Sequence, residues 1–295
     1  MKKLSVLFVS CVLMLGFFSC QKDNLGVFNP KMKINKVYSE ADGHYLQEQW
    51  YWDGEQLHRI DFYRKNGDVN RTQRYFYEND MLSKIESGDE YTEFLYDGKL
   101  LTTINTYQKD QLMETYSLSY EKGKLSNLVV KKTTKEARNG SLLTWFLPGN
   151  GCEWNSRVVS HGEKSESYNF SSANMDFQWD GDNVKYVKMK IDRPDSVQKL
   201  TFSYVYDDKF NPLNRFLGLY LDHQLLNDAP QYCFCSKNNT VGVSVTDEYD
   251  VFSDTESFTY SYDYYKKWPT KVYSTFVNRE TMNEDSVLLY SYIYL

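Results

Sequence analysis

The apolar and polar positions of this chain recur in one pattern: an aromatic residue, an acid, and two aliphatic residues five and eight positions after the aromatic. Another large apolar residue stands two positions before each aromatic, which is strand spacing and places both on one face. Turn-forming residues follow the acid, most clearly as Asp-Gly. Each copy therefore predicts a β-hairpin. The five copies begin at Trp52, Tyr77, Tyr96, Tyr120 and Trp179.

A lone hairpin is marginal in water, so neighbouring copies must bury one another's apolar faces. The pattern predicts an all-β fold, an antiparallel meander of stacked β-hairpin repeats forming one large curved sheet with little helix. Whether the sheet closes stays open. The two aliphatic residues of each copy are three apart, which requires either a β-bulge between them or partial cover on both faces. Residues 216–226 are the one fair helical candidate.

The chain divides into three predicted parts. Lys2 and Lys3 precede a 15-residue apolar run, which is typical of a signal peptide over residues 1–19. The small residue before Cys20 resembles a bacterial lipoprotein cleavage site, so Cys20 is the expected lipidated residue and residues 20–44 the lipid-anchored tether. Residues 45–295 form the repeat domain, with an irregular insertion near 133–175 where the pattern lapses.

The composition says more about which partners the chain could bind than about its fold. The chain carries a net charge of −6 and shows no basic stripe, so nucleic acid is not an expected partner. The 26 tyrosines and 6 tryptophans have an apolar body and a polar tip, which suits half-buried positions in solvated β-structure. An odd number of cysteines follows Cys20, and the pairing of Cys152, Cys233 and Cys235 stays open.

No motif in the sequence carries catalytic chemistry. The four histidines are scattered, and no nucleophile elbow, phosphate-binding loop or metal-spaced cluster occurs. The repeated acids follow strands, where a side chain caps its own turn. We therefore expect no catalytic residues, no metal, no cofactor and no enzyme activity, and an unrecognised hydrolase is the minor alternative.

Two weak sets of candidate residues remain. The repeated rings are interpreted as shared core, so Trp145 and Trp154, in the irregular insertion, are the candidates for stacking on a glycan. The tripeptides that contain Ser196 and Ser286 match an Asp-Ser-aliphatic pattern that some bacteria O-glycosylate. The many aromatic residues favour an alternative function as a glycan-binding accessory lipoprotein that uses exposed Trp and Tyr.

The segments Tyr120-Glu-x-x-Gly-Lys-Leu125 and Tyr206-Asp-x-Lys-x-Asn-Pro resemble the tyrosine–aspartate (YD/Rhs-type) repeat. More closely, the chain resembles secreted lipoproteins of the Bacteroidetes type built from degenerate copies of that repeat. The Gln-Lys-Asp-Asn stretch after Cys20 resembles a surface-export signal of such lipoproteins. The resemblance implies a curved antiparallel sheet without catalytic residues. The resulting expectation is a lipid-anchored, non-enzymatic binding or scaffold module at the outer membrane or cell surface, with a glycan or surface protein as partner.

Overall fold

The computed structural model describes residues 25–41, 43–133, 172–192, 196–216, 235–248, 253–277 and 284–295. These residues form sixteen antiparallel β-strands and no helix, so no described helix could cross a membrane. The first eight strands are β1 Ile34–Ser39, β2 Tyr45–Asp53, β3 Gln56–Tyr63, β4 Val69–Glu78, β5 Met81–Ser87, β6 Glu90–Asp97, β7 Leu100–Gln108 and β8 Gln111–Glu121. The others are β9 Lys124–Lys132, β10 Ser172–Asp180, β11 Asn183–Asp192, β12 Val197–Phe210, β13 Asn238–Glu248, β14 Ser253–Tyr265, β15 Trp268–Val277 and β16 Glu284–Tyr294.

The meander closes into a barrel in which each strand pairs with its neighbours in sequence. Closure is made by β1 and β16, whose register runs from Ile34 opposite Tyr294 to Ser39 opposite Tyr290. The all-β antiparallel prediction is confirmed, but one large curved sheet with free edges is wrong. A closed barrel leaves no edge strand with unpaired backbone groups. Strand β1 is part of this wall although it lies within the range predicted as a tether.

A β-bulge in each hairpin explains the spacing of the two aliphatic residues. In the β4–β5 hairpin Tyr77 lies opposite Leu82 and Tyr75 opposite Ile85, with a register shift between Phe76 and Tyr77. Two residues of β5 therefore face one residue of β4. The bulge turns Leu82 and Ile85 to the same side of the sheet, and both are buried. Corresponding shifts occur at the other repeats, and because each bulge bends its strand, they favour a curved wall.

All five repeat copies place their turns at one end of the barrel, which we call the turn end. The acid of the repeat is the last residue of its strand, and the turn comes directly after it: Asp97 pairs with Leu100 across the two-residue loop. Gly98, the first loop residue, has φ of 61°, a left-handed conformation that glycine adopts without a steric penalty. Asn79 and Asp80 fill the equivalent loop with φ of 51° and 63°.

The two faces of the wall differ sharply in polarity. In β11 the buried residues Val187, Met189 and Ile191 alternate with the exposed Lys188 and Lys190. The apolar set faces the inside of the barrel, where one continuous core cluster runs through the strands. On the outside, hydroxyl pairs link adjacent strands: Ser244 with Ser257 at 3.1 Å, Thr246 with Thr255 at 3.0 Å, and Thr275 with Ser286 at 3.2 Å. The inner wall is therefore mainly apolar, and the outer wall is mainly polar with scattered exposed apolar residues such as Phe76, Leu95 and Val205.

Candidate functional site

The repeated rings form a belt on the inner wall at the turn end. Each ring is half-buried against the core and donates a hydrogen bond to a backbone carbonyl of the preceding hairpin. Tyr77 donates to Leu57 at 2.9 Å, and Tyr96 to Leu82 at 2.6 Å. The carbonyl belongs to the first aliphatic residue of the repeat, so the ring ties one copy to the next. The same bond is made by Tyr120, Trp179 and Tyr206 to Leu101, Leu125 and Val184. Trp52 and Tyr294 donate in a similar way to the carbonyls of Ile34 and Pro269, which lie outside the repeats.

Residues 25–28 cover part of the turn end from within. The Gly26 carbonyl accepts a hydrogen bond from the Leu82 backbone at 3.1 Å, and Leu25 is buried. Gly26 lies so close to the Tyr96 ring that a Cβ at this position would overlap the phenol. Phe28 packs on Phe216 with ring centroids 5.0 Å apart. A glycine at position 26 is therefore required by close approach, and the segment is part of the folded barrel.

A second covering segment, residues 211–216, is held by a set of side-chain hydrogen bonds. Asn211 and Asn214 both donate to the Ser236 carbonyl, at 3.0 and 2.8 Å. The Asn211 side chain also accepts from the Leu213 backbone at 2.9 Å. These bonds fix the residue that follows, Arg215, with φ of 67°. A non-glycine residue in this conformation costs about 1 kcal/mol or more and persists only where its surroundings enforce it.

Between these two segments lies a cavity of about 480 Å³, which is within the range of small-molecule sites. Its walls come from parts of the chain that are far apart in sequence, so no local sequence motif predicted the cavity. The cavity is the candidate functional site. It is lined by Val27, Asn29, Pro30, Lys31, Asp182, Phe210, Asn211, Asn214, Arg215, Cys235, Lys237 and Trp268.

The electrostatics of the cavity are set by cations around one carboxylate. Lys237 Nζ lies 3.0 Å from Asp182 Oδ2, and Lys124 Nζ lies 3.8 Å from the other oxygen of that carboxylate. The hydrogen bond from Lys237 is the largest cause that holds the pKa of Asp182 below its ordinary value, although partial burial opposes it. Asp182 is therefore anionic at neutral pH and already neutralised by its neighbours.

Other buried polar groups lie on the inner wall, nearer the opposite end. Glu48 is buried and accepts a hydrogen bond from the Trp50 indole at 2.6 Å, while its Oε1 has no partner among the described residues. Burial raises the pKa of Glu48 to about 8, and the indole bond only partly offsets this effect. Glu114 accepts from Tyr116, and burial lowers the pKa of the nearby Lys132, which the Glu114 charge opposes. The sequence analysis missed these residues, whose signal was a charge at an inward strand position.

The buried Glu48 predicts a stability that falls with rising pH. Its pKa is about 8 in the folded chain and near 4.5 when solvated, so the folded state binds the extra proton between these values. Stability contributed by that proton is present below about pH 4.5 and lost as pH rises through 8. The loss attributable to Glu48 is roughly 3–5 kcal/mol. We expect the Glu48→Gln variant, which keeps the acceptor for Trp50, to lose much less between pH 5 and 8.5 in urea unfolding.

The exposed Glu78 offers a matched control for that experiment. A Glu78→Gln variant changes the same charge at the surface and should follow the wild-type pH dependence. Parallel curves for Glu48→Gln and the wild type would contradict the burial of an ionisable Glu48.

The predicted site residues are scattered or lie outside the described part of the chain. Five of them lie outside the described part of the chain, so their predicted roles stay predictions: Cys20, Trp145, Trp154, Cys152 and Cys233. Most of the candidate helix at 216–226 also lies outside. Ser196 is exposed just before β12, and Ser286 is exposed on the outer wall. Cys235 is buried beside the cavity.

The described histidines do not form a catalytic arrangement. His44 lies on the surface, 3.0 Å from the Glu40 carboxylate, and stacks on Tyr38. His58 is exposed on β3. Among the described residues, no group of three or more His, Cys, Asp or Glu could hold a metal ion.

The comparisons with known proteins find a likeness in fold. No family model and no curated protein matches the chain. A crystal structure of a porin-like protein from Bacteroides vulgatus matches with a TM-score of 0.52 and 11% identity, covering 90% of this chain and 99% of that one. A porin-like protein from Bacteroides uniformis matches with a TM-score of 0.49 and 9% identity, covering 92% and 99%. At such identities the likeness defines a β-barrel fold and nothing finer, and the YD-repeat resemblance stays a prediction.

Proposed function

We propose that this chain is a lipid-anchored, non-enzymatic binding or scaffold barrel of the outer membrane or cell surface. In this proposal the membrane holds the Cys20 lipid, and the barrel wall stays in water. The observation that carries it is the polarity of the wall, with mainly apolar residues inside and mainly polar residues outside. An outer-membrane location draws support from the lipoprotein-like Cys20 and from the barrel fold shared with a porin-like Bacteroides protein.

The outer wall is unsuited to lipid. A membrane-spanning barrel presents an apolar band about 25 Å tall to the acyl chains and keeps polar residues inside. Here Lys188 and Lys190 point outward from the same strand whose inward residues are apolar. Each outward lysine would cost about 2–4 kcal/mol at the bilayer midplane. The Ser and Thr pairs on β13–β16 add further polar surface to the same face.

The inner wall is equally unsuited to a water-filled channel. Barrels of 16 strands in porins enclose an aqueous pore. In this chain most inward residues of the described strands are apolar and almost fully buried, as with Val184, Val187 and Leu128, and the inward Glu48 and Glu114 are buried as well. Residues 25–28 and Phe216 further cover the turn end. A role in passive diffusion is therefore disfavoured, and a role in binding is favoured by the cavity.

The proposed anchor places the turn end close to the membrane. Leu25 is seated inside the barrel and lies five residues after Cys20. Five extended residues span at most about 17 Å. The lipid would therefore hold the turn end, with its cavity, near the membrane surface.

The experiment that tests this function compares the wild type with a Cys20→Ala variant by membrane fractionation. We expect the wild type in the outer-membrane fraction and the variant, without its lipid, in the soluble fraction with intact β-sheet circular dichroism. A variant that remains in the membrane and resists alkaline extraction would show that the wall itself is inserted and would overturn the proposal.

Trp145 and Trp154 lie outside the described residues, so their part in the glycan-binding alternative stays a prediction. That alternative has one specific support, the ring-containing cavity at the turn end. An enzymatic role has no corresponding support among the described side chains.

A further inference from the structure

The aromatic wall of the cavity differs from every other tryptophan site in the described part of the chain. The indole N–H groups of Trp50, Trp52 and Trp179 all donate to protein oxygens. The Trp268 ring lines the cavity, and its N–H makes no hydrogen bond to a described residue. Trp268 packs on Phe210 with centroids 5.2 Å apart, which fixes the ring. An immobilised, half-exposed ring whose N–H has no acceptor in the described part of the chain suits a ligand that has both an apolar face and oxygen acceptors.

The charge of the cavity differs from that of the whole chain. The lining contains Lys31, Arg215 and Lys237 against the single carboxylate Asp182, which gives a net charge of +2. The chain as a whole carries −6. A further lysine, Lys267, stands over the Phe210 ring at 5.7 Å and adds to the positive potential beside Trp268. A concave site of one sign attracts ligands of the opposite sign.

The backbone of one of these cationic residues is held in a defined conformation by its neighbours. Arg215 has its left-handed backbone enforced by the Asn211 and Asn214 hydrogen bonds to Ser236. Conformations of this kind concentrate at binding sites, where they set the direction of a side chain. A fixed backbone at Arg215 reduces the entropy that is lost when its side chain pairs with an acid, and a guanidinium recognises carboxylate, sulfate or phosphate through paired N–H donors.

We propose that the turn-end cavity binds an acidic saccharide, with one sugar ring against Trp268 and its acid group between Arg215 and Lys31. The CH face of a sugar matches the indole surface, and its hydroxyls supply acceptors for the indole N–H and partners for the Asn29 amide. This inference rests on the proposed function as a binding module and specifies its ligand class. Acidic sugars occur both in soluble polysaccharides and in lipid headgroups, and their shared chemistry is a ring that carries an anionic group.

The test is isothermal titration calorimetry on the mature chain at low ionic strength, where charge pairing is least screened. Three probes are used: digalacturonic acid, neutral maltose, and vesicles that display a phosphorylated glucosamine disaccharide. We expect an acidic probe to bind at least tenfold more tightly than maltose. Binding of digalacturonic acid assigns a soluble source, and binding of the vesicles alone assigns a lipid headgroup. Equal binding of acidic and neutral probes, or no binding to any probe, overturns the proposal.

Three variants report on the named residues. Trp268→Ala should weaken binding of the acidic probe about tenfold or more. Arg215→Asn, which tolerates the left-handed backbone, should remove the preference for acid. Lys31→Gln changes an exposed side chain, so the fold should be unaffected. Like Arg215→Asn, it should reduce the preference for acidic probes. Lys188→Gln on the outer wall is the control and should bind like the wild type.

Failure of this inference is distinguishable from failure of the proposed function. If Cys20→Ala releases the barrel from the membrane but no saccharide probe binds, the proposed function as a lipid-anchored barrel stands. Only the proposed ligand class is then rejected. A barrel that stays inserted without its lipid removes the proposed function whatever it binds.

Discussion

Replacing Trp50 with alanine is expected to destabilise the barrel by about 4 kcal/mol, a large part of the stability of a typical domain. Trp50 is 3% exposed and packs against Phe216 at 5.0 Å and Trp52 at 6.2 Å between ring centroids. Its removal leaves a cavity beside the turn-end cover and also deprives the buried Glu48 of its indole donor. The measurement is the free energy of unfolding in urea, monitored by β-sheet circular dichroism.

The adjacent Tyr51 provides the control for that variant. Tyr51 points outward and stacks on the Arg59 guanidinium at 3.9 Å from the ring centroid. An exposed contact of this type contributes about 0.5–1 kcal/mol, so Tyr51→Ala should cost far less than Trp50→Ala. Equal losses for the two variants would contradict the assignment of Trp50 to the inside and Tyr51 to the outside.

The second large effect is expected from a charge placed on the inner wall. Val187 is fully buried in β11. The Val187→Asp variant places a carboxylate beside the apolar side chains of Val184 and Met189, which cannot pair with its charge. Burial of an unpaired charge costs several kcal/mol, and we expect at least about 4 kcal/mol or failure to fold. Soluble yield and urea unfolding measure the result.

The next residue along the strand makes the same substitution on the other face. Lys188→Asp reverses a charge in water and should change the unfolding free energy by about 0.5 kcal/mol or less. If Lys188→Asp proved as damaging as Val187→Asp, the outer wall would not be the water-facing surface that its polarity indicates.

Local pattern predicted the hairpins and their rings correctly, because strand alternation and turn chemistry are encoded by residues close in sequence. The pairs Tyr77–Leu82 and Tyr96–Leu101 follow from the repeat itself. The spacing of the two aliphatic residues was compatible with either a β-bulge or partial cover on both faces. The structure shows the bulge, and the three-residue interval alone could not distinguish the two. The hydrogen bonds from one ring to the preceding hairpin explain why the ring recurs at a fixed position.

Closure and the cavity could not be predicted in the same way. Closure depends on the summed curvature of sixteen strands and on pairing between Ile34 and Tyr294, at opposite ends of the chain. The cavity combines Lys31, Asp182, Arg215 and Trp268, which no sequence window contains together. Residues 27–31 also belonged to the range predicted as a tether. No local sequence pattern indicated that this segment lines a site.

The most direct test of the central claim is the environment of the outer wall in the native, lipidated protein. Nitroxide spin labels at Ser117, Ser203 and Ser244 would report whether outward positions on three separate strands contact water or acyl chains. The labels should be relaxed strongly by a water-soluble nickel chelate and weakly by oxygen, as expected for a wall in water. Labels relaxed preferentially by oxygen, which concentrates in the bilayer, would contradict a barrel held only by its lipid.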